Sequence, residues 1–122
     1  MGRKILIVED DQSSRLYLNK ILEKTGAVLL NAADGSQAVE IAMKEPDIEI
    51  ILMDIQLPVM DGYTSAKKIK EFRKDVTLIA QTAYGLASDT ENILSSGFDD
   101  YFIKPIYSKQ LLEKLSLYIK KP

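Results

Sequence analysis

Short apolar runs recur along the chain at intervals of roughly 20 to 30 residues, the repeat expected of strand and helix units. They span residues 4–8, 28–32, 48–53, 77–82 and 100–104. Three of them are nearly continuous in isoleucine, leucine and valine, which is typical of strands that are covered on both faces. The pattern predicts five strands, each followed by a segment long enough for a helix.

The segments between the runs carry apolar residues at helical spacing. The first three predicted helices and their apolar stripes are residues 14–24 with Leu18, Ile21 and Leu22, residues 36–44 with Ala38, Ile41 and Ala42, and residues 64–74 with Ala66, Ile69 and Phe72. In the last helix Ser108 is predicted as the N-cap. Its apolar stripe consists of Leu111, Leu112, Leu115, Tyr118 and Ile119.

Residues 84–97 occupy the place of a fourth helix but have a poor composition for one. The segment is rich in glycine, serine, threonine, asparagine and aspartate, which cost up to about 1 kcal/mol each relative to alanine in a helix. We expect a helix that is short or easily displaced.

Alternating strands and helices predict an α/β fold with a parallel sheet, helices on both faces and right-handed crossovers. Five strands suit the flavodoxin-like, doubly wound order 2-1-3-4-5, in which strands 1 and 3 flank the point where ligands bind. A chain of 122 residues has the size of one domain. We therefore expect residues 1–122 to form a single domain with no room for an output domain.

The composition excludes several kinds of chemistry. The chain has no histidine and no cysteine, so it lacks serine-histidine-aspartate triads, thiolate chemistry and histidine-ligated zinc. A net charge of -2 argues against direct binding of nucleic acid. No apolar run approaches a membrane span or a signal peptide, which predicts a cytoplasmic protein without membrane insertion.

Polar residues gather at the carboxyl ends of the predicted strands. Strand 1 is followed by Glu9, Asp10 and Asp11, strand 3 by Asp54, strand 4 ends in Thr82, and strand 5 ends in Lys104 with Pro105 after it. Asp11 is predicted as the N-cap of the first helix. Three successive carboxylates exceed what one cap can use, so Glu9 and Asp10 need another partner.

The chemistry of these side chains indicates phosphoryl transfer. Crowded carboxylates need a cation, and Mg²⁺ prefers one or two carboxylates together with phosphate oxygens. Asp54 can then act as a nucleophile toward phosphorus, while Lys104 and Thr82 hold phosphoryl oxygens. No histidine is needed here, because it would belong to the phosphate donor.

Four fragments carry a resemblance to a known family over the whole chain. "ILIVEDD", "LMDIQLPVMDG", "AQTA" and "DDYFIKPI" occur in order and at suitable spacing. This set is similar to the receiver domain of two-component response regulators. The resemblance implies a phosphoacceptor switch that assists its own phosphorylation and dephosphorylation, and not an enzyme in the ordinary sense.

The resemblance also assigns roles to individual residues. It implies that Asp54 accepts a phosphoryl group from a histidine kinase or a histidine phosphotransfer domain. Glu9, through water, and Asp10 would hold Mg²⁺ with Asp54, and the Gln56 carbonyl would be a further ligand. Thr82 and Lys104 would contact the phosphoryl group. The remaining implied feature is a cis peptide bond before Pro105.

Tyr101 stands at the family's switch-aromatic position, and a partly buried core aromatic is the alternative. In the family's switch, Thr82 moves toward the phosphoryl group and the aromatic ring turns inward, which changes the surface of helix 4, strand 5 and helix 5. Gln56 and Tyr84 border the path of the attacking water. We expect them to slow hydrolysis, and Tyr84→Ala to speed it.

Several interpretations stay open at this point. A haloacid dehalogenase-type hydrolase needs a second acid where Gln56 stands, a flavodoxin-like binder needs a different first loop, and a degenerate receiver would serve only for docking. Asp61 and Gly62 are predicted to form a turn and helix start. A solvated helix face is predicted for the basic cluster Lys67, Lys68, Lys70, Arg73 and Lys74.

The wider context of the domain is also open. The chain is either a stand-alone regulator or part of a larger protein. The residues that make up its motifs favour the receiver of a hybrid histidine kinase. Its expected partners are the phosphate donor and a downstream protein or attached domain. A phosphorylation-dependent dimer is left open.

Overall fold

Five parallel strands form one sheet in a computed structural model, which describes residues 3–83 and 87–119. The strands are β1 (Lys4–Val8), β2 (Val28–Ala32), β3 (Ile48–Asp54), β4 (Thr77–Thr82) and β5 (Asp100–Ile103). They pair in the order β2-β1-β3-β4-β5. The predicted α/β fold and strand order are confirmed.

Helices cover both faces of this sheet, as predicted. They are α1 (Gln12–Leu22), α2 (Gly35–Lys44), α3 (Gly62–Phe72), α4 (Ala87–Ser95) and α5 (Ser108–Ser116), with a short 3₁₀ turn at Glu23–Thr25. One apolar cluster joins the sheet to α1 and α5, and the other joins the opposite face to α2, α3 and α4. The sheet is therefore the middle layer of three.

Side-chain alternation explains why the central strands must be apolar throughout. Ile5 and Ile7 belong to the cluster under α1 and α5, whereas Leu6 and Val8 belong to the opposite cluster. Successive side chains of a strand point to opposite faces, so both sets are buried. Each such side chain contributes about 1.5–3 kcal/mol of hydrophobic stabilisation.

Three aspartates cap the helices that follow β1, β2 and β3. The Asp11, Asp34 and Asp61 carboxylates accept hydrogen bonds from the backbone N–H groups three residues later, at 2.8, 2.8 and 2.9 Å. The predicted roles of Asp11 as a cap and of Asp61 at a helix start are confirmed. Asp11 is thereby engaged, which leaves Glu9 and Asp10 for another partner.

The predicted limits of α5 were wrong by one residue at its start and by three at its end. Tyr107 is the N-cap, and its carbonyl accepts the first helical hydrogen bond, from Leu111 at 3.0 Å. Ser108 is the first helical residue. Tyr118 and Ile119 lie beyond Ser116, yet both pack against the cluster under α1 and α5. The apolar stripe outlasts the helix because both residues still reach the core.

The basic cluster on α3 is only partly a solvated face. Lys67, Lys68 and Lys74 are exposed, but Arg73 is buried. Its guanidinium donates to the backbone carbonyls of Ile48 at 2.6 Å and Glu45 at 3.2 Å. Lys70 donates to Val76 O at 2.7 Å. These charges lie where the end of α2 and the starts of β3 and β4 leave carbonyls that need donors.

Phe72, the third member of the predicted α3 stripe, is 41% exposed. It is the last residue of the helix. Ala66 and Ile69 are fully buried as predicted, so the stripe loses contact with the core only at its end.

Helix α4 is described over nine residues, Ala87–Ser95, the same length as α5. The expectation that it is easily displaced stays a prediction. Tyr84 lies outside the described residues, as do the other residues of the predicted segment up to 86. The prediction about Tyr84 is therefore not tested by the structure. Within the described parts of the chain, no helix combines the length and the apolar character that crossing a bilayer requires.

Candidate functional site

The predicted polar residues meet at the carboxyl edge of the sheet because β1 and β3 are neighbours. Val8 pairs with Met53, so the residues that follow, Glu9 and Asp54, come side by side. Strand β4 lies on the other side of β3, with Gln81 paired to Asp54. Parallel strands present their carboxyl ends at one edge, and this edge collects the carboxylates.

Glu9 is almost completely buried, with 1% of its surface exposed. Its backbone N–H donates to Ala32 O at 3.0 Å, which continues the β1–β2 pairing beyond the strand. Arg15 on α1 donates to Glu9 O at 2.9 Å. Both hydrogen bonds fix the backbone of Glu9, and this backbone positions the carboxylate.

Asp54 ends β3 and is also buried, at 6% exposure. One carboxylate oxygen accepts from the Gln56 backbone N–H at 3.0 Å, and the other accepts from the Lys104 ammonium at 2.7 Å. Gly62 lies directly behind, because an added Cβ there would come within 2.6 Å of Asp54 O. A side chain at position 62 would displace the backbone that presents Asp54.

Lys104 crosses the end of the sheet to reach the carboxylates. Its backbone N–H donates to Thr82 O at 2.8 Å, and its ammonium lies 3.8 Å from Glu9 Oε2. Burial by itself lowers the pKa of Lys104, but the hydrogen bond and charge of Asp54 outweigh it and raise the pKa above its usual value. The ammonium is therefore charged at neutral pH. The Lys104–Pro105 bond is cis, as the resemblance implies.

The other predicted residues lie around this centre. Thr82 is buried at the end of β4, next to the β5 terminus. Gln56 is exposed in the loop after Asp54. Tyr101 is half-buried on β5 and packs against the cluster under α2, α3 and α4. Its partial burial fits both the switch role and the simpler role of a core aromatic.

Glu9, Asp10 and Asp54 form an acidic cluster, with one carboxylate oxygen of each lying within 4.8 Å of the others. Burial raises the pKa of Glu9 to about 8, helped by the hydrogen bond and charge of Asp54, although Lys104 opposes the shift. Glu9 Oε2 is buried and has no hydrogen-bond partner. The Lys104 ammonium lies 3.8 Å from that oxygen, beyond hydrogen-bonding distance, so the oxygen still needs a proton or a closer cation.

This arrangement suits a hard divalent cation. Three carboxyl groups converge and one ammonium is shared between two of them, so negative charge is in excess when all three are ionised. Asp10 is exposed and leaves the cluster open to solvent. Carboxylate oxygens are the ligands that Mg²⁺ prefers. Glu9 Oε2 has no hydrogen-bond partner, so it is available to interact with such an ion.

Sequence reasoning missed two residues that support the site. Nothing about Arg15 in the sequence indicates that it holds the Glu9 backbone, because the hydrogen bond depends on how α1 docks. The close approach of Gly62 to Asp54 was also missed. A glycine directly after a capping aspartate was a usable signal, since glycine allows backbones to approach closely.

The chain matches a known family over nearly its whole length. A family model described as the response regulator receiver domain covers residues 5–116. The chemotaxis protein CheY of Bacillus subtilis is 35% identical over 117 residues, which cover 95% of this chain and 97% of that protein. The sensor histidine kinase GacS of Pseudomonas protegens is 32% identical over 115 residues, which cover 90% of this chain and 12% of that protein.

Solved structures agree with these matches. The magnesium-bound receiver domain of the sensor histidine kinase PA1611 from Pseudomonas aeruginosa superposes with a TM-score of 0.88 and 37% identity, covering 97% of this chain and 98% of that one. The receiver domain of Ssk1 from Saccharomyces cerevisiae, crystallised with the phosphotransfer protein Ypd1, gives 0.89 and 32%, with coverage of 96% and 88%. The chain spans about an eighth of the sensor kinases that it matches.

Proposed function

Since the chain belongs to the response regulator receiver domain family, we propose that Asp54 accepts a phosphoryl group from a phosphohistidine and that this changes the surface of α4, β5 and α5. The domain is a receiver of two-component signalling, a switch and not a classical enzyme. To this family role the proposal adds three details: the phosphoacceptor residue, the phosphate donor and the surface that changes on phosphorylation. Its main support is the convergence of Asp54, Lys104, Glu9 and Asp10 at one sheet edge.

The proposed reaction follows from the chemistry of the acceptor. An oxygen of the Asp54 carboxylate attacks phosphorus, the bond from phosphorus to the donor's histidine nitrogen breaks, and that nitrogen keeps the electron pair. The product is an acyl phosphate on Asp54. Lys104 already touches Asp54 at 2.7 Å and is placed to stabilise charge on a phosphoryl oxygen. Thr82 is proposed to contact another oxygen.

Mg²⁺ is the proposed cofactor, held by Asp10 and Asp54, with Glu9 acting through water and the Gln56 carbonyl as a further ligand. Oxygens on one Mg²⁺ lie at most about 4.2 Å apart, twice the usual bond length. The carboxylate oxygens of Glu9, Asp10 and Asp54 lie within 4.8 Å of one another, which is close to that span. When bound, the ion would neutralise carboxylate and phosphoryl charge.

The switch is proposed to run from Thr82 to Tyr101. Thr82 would move toward the phosphoryl group and the Tyr101 ring would turn further inward. Helix α4 (Ala87–Ser95) lies in a segment rich in poor helix formers, so modest differential contacts are proposed to shift it. Gln56, exposed beside the acceptor, is proposed to slow hydrolysis by obstructing water, and slow self-dephosphorylation belongs to the same proposal.

The proposed partners follow from the reaction. A histidine kinase or a phosphotransfer domain supplies the phosphoryl group, and the Ssk1 receiver was crystallised with such a protein, Ypd1. A downstream protein or an attached domain reads the switched surface. We propose residues 1–122 as one receiver domain of cytoplasmic signalling, with the receiver of a hybrid histidine kinase as the favoured context. The match to the receiver domain family favours the receiver over the hydrolase and flavodoxin-like alternatives.

Intact mass measurement tests the acceptor directly. Incubation with Mg²⁺ and acetyl phosphate or phosphoramidate should add one phosphoryl group, and Asp54→Asn should abolish the addition. Asp61→Asn is the matched control, because Asp61 is an exposed helix cap and asparagine caps about equally well. Phosphorylation of the Asp54→Asn protein at the parent level would overturn the proposal.

A further inference from the structure

The backbone of Glu9 is held at both of its polar groups. Its N–H donates to Ala32 O at 3.0 Å, at the end of β2, and its carbonyl accepts from the Arg15 guanidinium at 2.9 Å. That carbonyl belongs to the planar peptide unit that leads into Asp10, so its direction helps to fix where the Asp10 Cα atom lies. The hydrogen bond from Arg15 therefore acts on two of the three acids in the cluster.

A pair of asparagines holds the backbone of Arg15 in turn. The Asn19 side-chain Nδ2 donates to Arg15 O at 2.7 Å and to Asn31 Oδ1 at 2.8 Å. Asn31 Nδ2 donates back to Asn19 Oδ1 at 3.1 Å. Asn31 lies on β2 directly before Ala32, whose carbonyl accepts from Glu9. These contacts close a ring, which we call the Arg15 ring and which consists of Glu9, Arg15, Asn19, Asn31 and Ala32.

The two asparagines are unfavourable residues for the elements that contain them. Asn19 lies inside α1 and Asn31 lies inside β2, although asparagine is a poor helix former and is depleted in strands. Residues that break such local preferences are expected mostly at functional sites. Here the two amides join α1 to β2 next to the strand ends that carry the acidic cluster, so a role in that cluster accounts for both of them.

The positive charge of Arg15 separates a positioning role from an electrostatic one. A guanidinium beside the acidic cluster repels a cation that approaches it, so an arginine that acted only by its charge would weaken magnesium binding. Hydrogen bonds that orient metal ligands have the opposite effect, because losing such a bond commonly lowers metal affinity 10- to 100-fold. The direction in which magnesium affinity changes when Arg15 is removed therefore identifies its role.

We propose that Arg15 is a positioning residue for a divalent cation at the acidic cluster. Through the Glu9 carbonyl it directs Glu9 and Asp10, and the pair of Asn19 and Asn31 keeps Arg15 in place. This inference rests on the proposed magnesium role of the cluster. It involves neither phosphoryl transfer nor the switch, so it is tested without a phosphate donor.

Titration of the ¹⁵N-labelled chain with MgCl₂, followed by the backbone amide signal of Asp10, measures the magnesium Kd. Arg15→Met should weaken magnesium binding about tenfold. The loss should persist when KCl is raised from about 0.15 M to about 0.5 M, because salt screens charge repulsion but does not restore a hydrogen bond. Lys20→Met is the matched control, since it removes an exposed cation from the last turn of the same helix and should leave the Kd unchanged.

Asn31→Ala is the second variant, and it covers the case in which Arg15→Met does not fold. It keeps the net charge, removes the partner of Asn19, and should weaken magnesium binding about threefold. Urea denaturation in EDTA confirms that each variant is folded before its Kd is compared.

Three results would overturn the proposal. They are magnesium binding by Arg15→Met that equals or exceeds that of the parent, an unchanged Kd in Asn31→Ala, and an equal loss of affinity in Lys20→Met. A parent chain that does not bind magnesium would overturn the magnesium role of the cluster as well. Normal binding by the parent confines a failure to Arg15 and its ring.

Discussion

Glu9 and Asp10 are adjacent carboxylates with different surroundings. Glu9 is buried and its pKa is raised to about 8, largely because burial disfavours its charged form. Asp10 is exposed. A bound cation would stabilise the charged form of the buried acid, and the exposed acid would give that cation a route from solvent. Each residue contributes what the other cannot.

Magnesium should stabilise the folded chain by binding to this cluster. A ligand that binds only the native state adds about 2.7 kcal/mol at a hundredfold excess over its Kd. Thermal unfolding in MgCl₂, against NaCl of equal ionic strength and against EDTA, should show a rise in Tm that grows with magnesium concentration. Asp10→Asn should remove most of this increment. An equal increment in that variant would contradict the predicted ligand set.

Arg73 should matter more for stability than the neighbouring lysine. Its guanidinium donates to the carbonyls of Ile48 and Glu45, and hydrogen bonds from a charged donor contribute about 1.5–3 kcal/mol. Arg73→Met should lower the free energy of unfolding by about 2 kcal/mol in urea denaturation. Lys74→Met, at an exposed position, should change it by no more than about 0.5 kcal/mol. Equal effects would refute the role of Arg73.

Strand β5 and helix α5 are joined by a polar network around one carboxylate. Asp100 accepts from the Tyr101 N–H at 2.8 Å, from the Tyr118 hydroxyl at 2.9 Å and from the Lys114 ammonium at 3.1 Å. Lys114 also lies 4.7 Å from the Phe102 ring centre and 5.6 Å from that of Tyr101. This network borders the surface that the proposed switch changes.

The Asp100 network should make stability depend on pH. Burial by itself raises the pKa of Asp100, but the hydrogen bonds from Tyr101, Tyr118 and Lys114 outweigh it and leave the pKa below its usual value. A depressed pKa stabilises the fold above the unfolded value of about 3.9, and this contribution is lost as pH falls through the folded value. Asp100→Asn should therefore cost about 1 kcal/mol at pH 7 and less as the pH falls below the unfolded value.

Urea denaturation at pH 7 and near pH 3 measures this difference. Glu113→Gln removes an exposed carboxylate from the same helix and serves as the control, with little expected change at pH 7. A cost of Asp100→Asn that stays constant between the two pH values would show that the charge of Asp100 contributes nothing.

The sheet divides the interior into two apolar clusters, and the site lies at the edge where both end. The interior strand β1 contributes to both clusters, so the backbone that presents Glu9 is supported from both faces. Rigid strands below and loops above allow the polar side chains to be positioned while surface segments remain free to move. A rigid sheet combined with movable surface segments suits a switch.

A core substitution should cost much more than the same substitution on the surface. Leu6 is fully buried in β1, whereas Leu16 on α1 is 62% exposed. Leu6→Ala should lower the free energy of unfolding by about 3 kcal/mol, through lost burial and the cavity left behind. Leu16→Ala should change it by no more than about 0.5 kcal/mol. Chemical denaturation of both variants checks the pair, and similar costs would contradict the assignment of the core.

Most of the fold could be predicted because its signals are local. The five strands were found within one residue of their ends, since continuous apolar runs indicate strands buried on both faces. Helix ends were harder. Ser108 is of a residue type that often caps helices. The position of the cap is set by backbone dihedral angles, which the residue type alone does not determine, and the observed N-cap is Tyr107. Boundaries of this kind routinely shift by a residue or two.

The order of residue types was sufficient to predict that Glu9, Asp10, Asp54, Thr82 and Lys104 lie at strand ends on one edge. Strand alternation and right-handed crossovers leave few other places for them. The burial of Glu9, the contact of Lys104 with Asp54 and the turn of Arg73 toward backbone carbonyls came from packing. These properties depend on distances between residues far apart in the chain, and no local pattern records those distances.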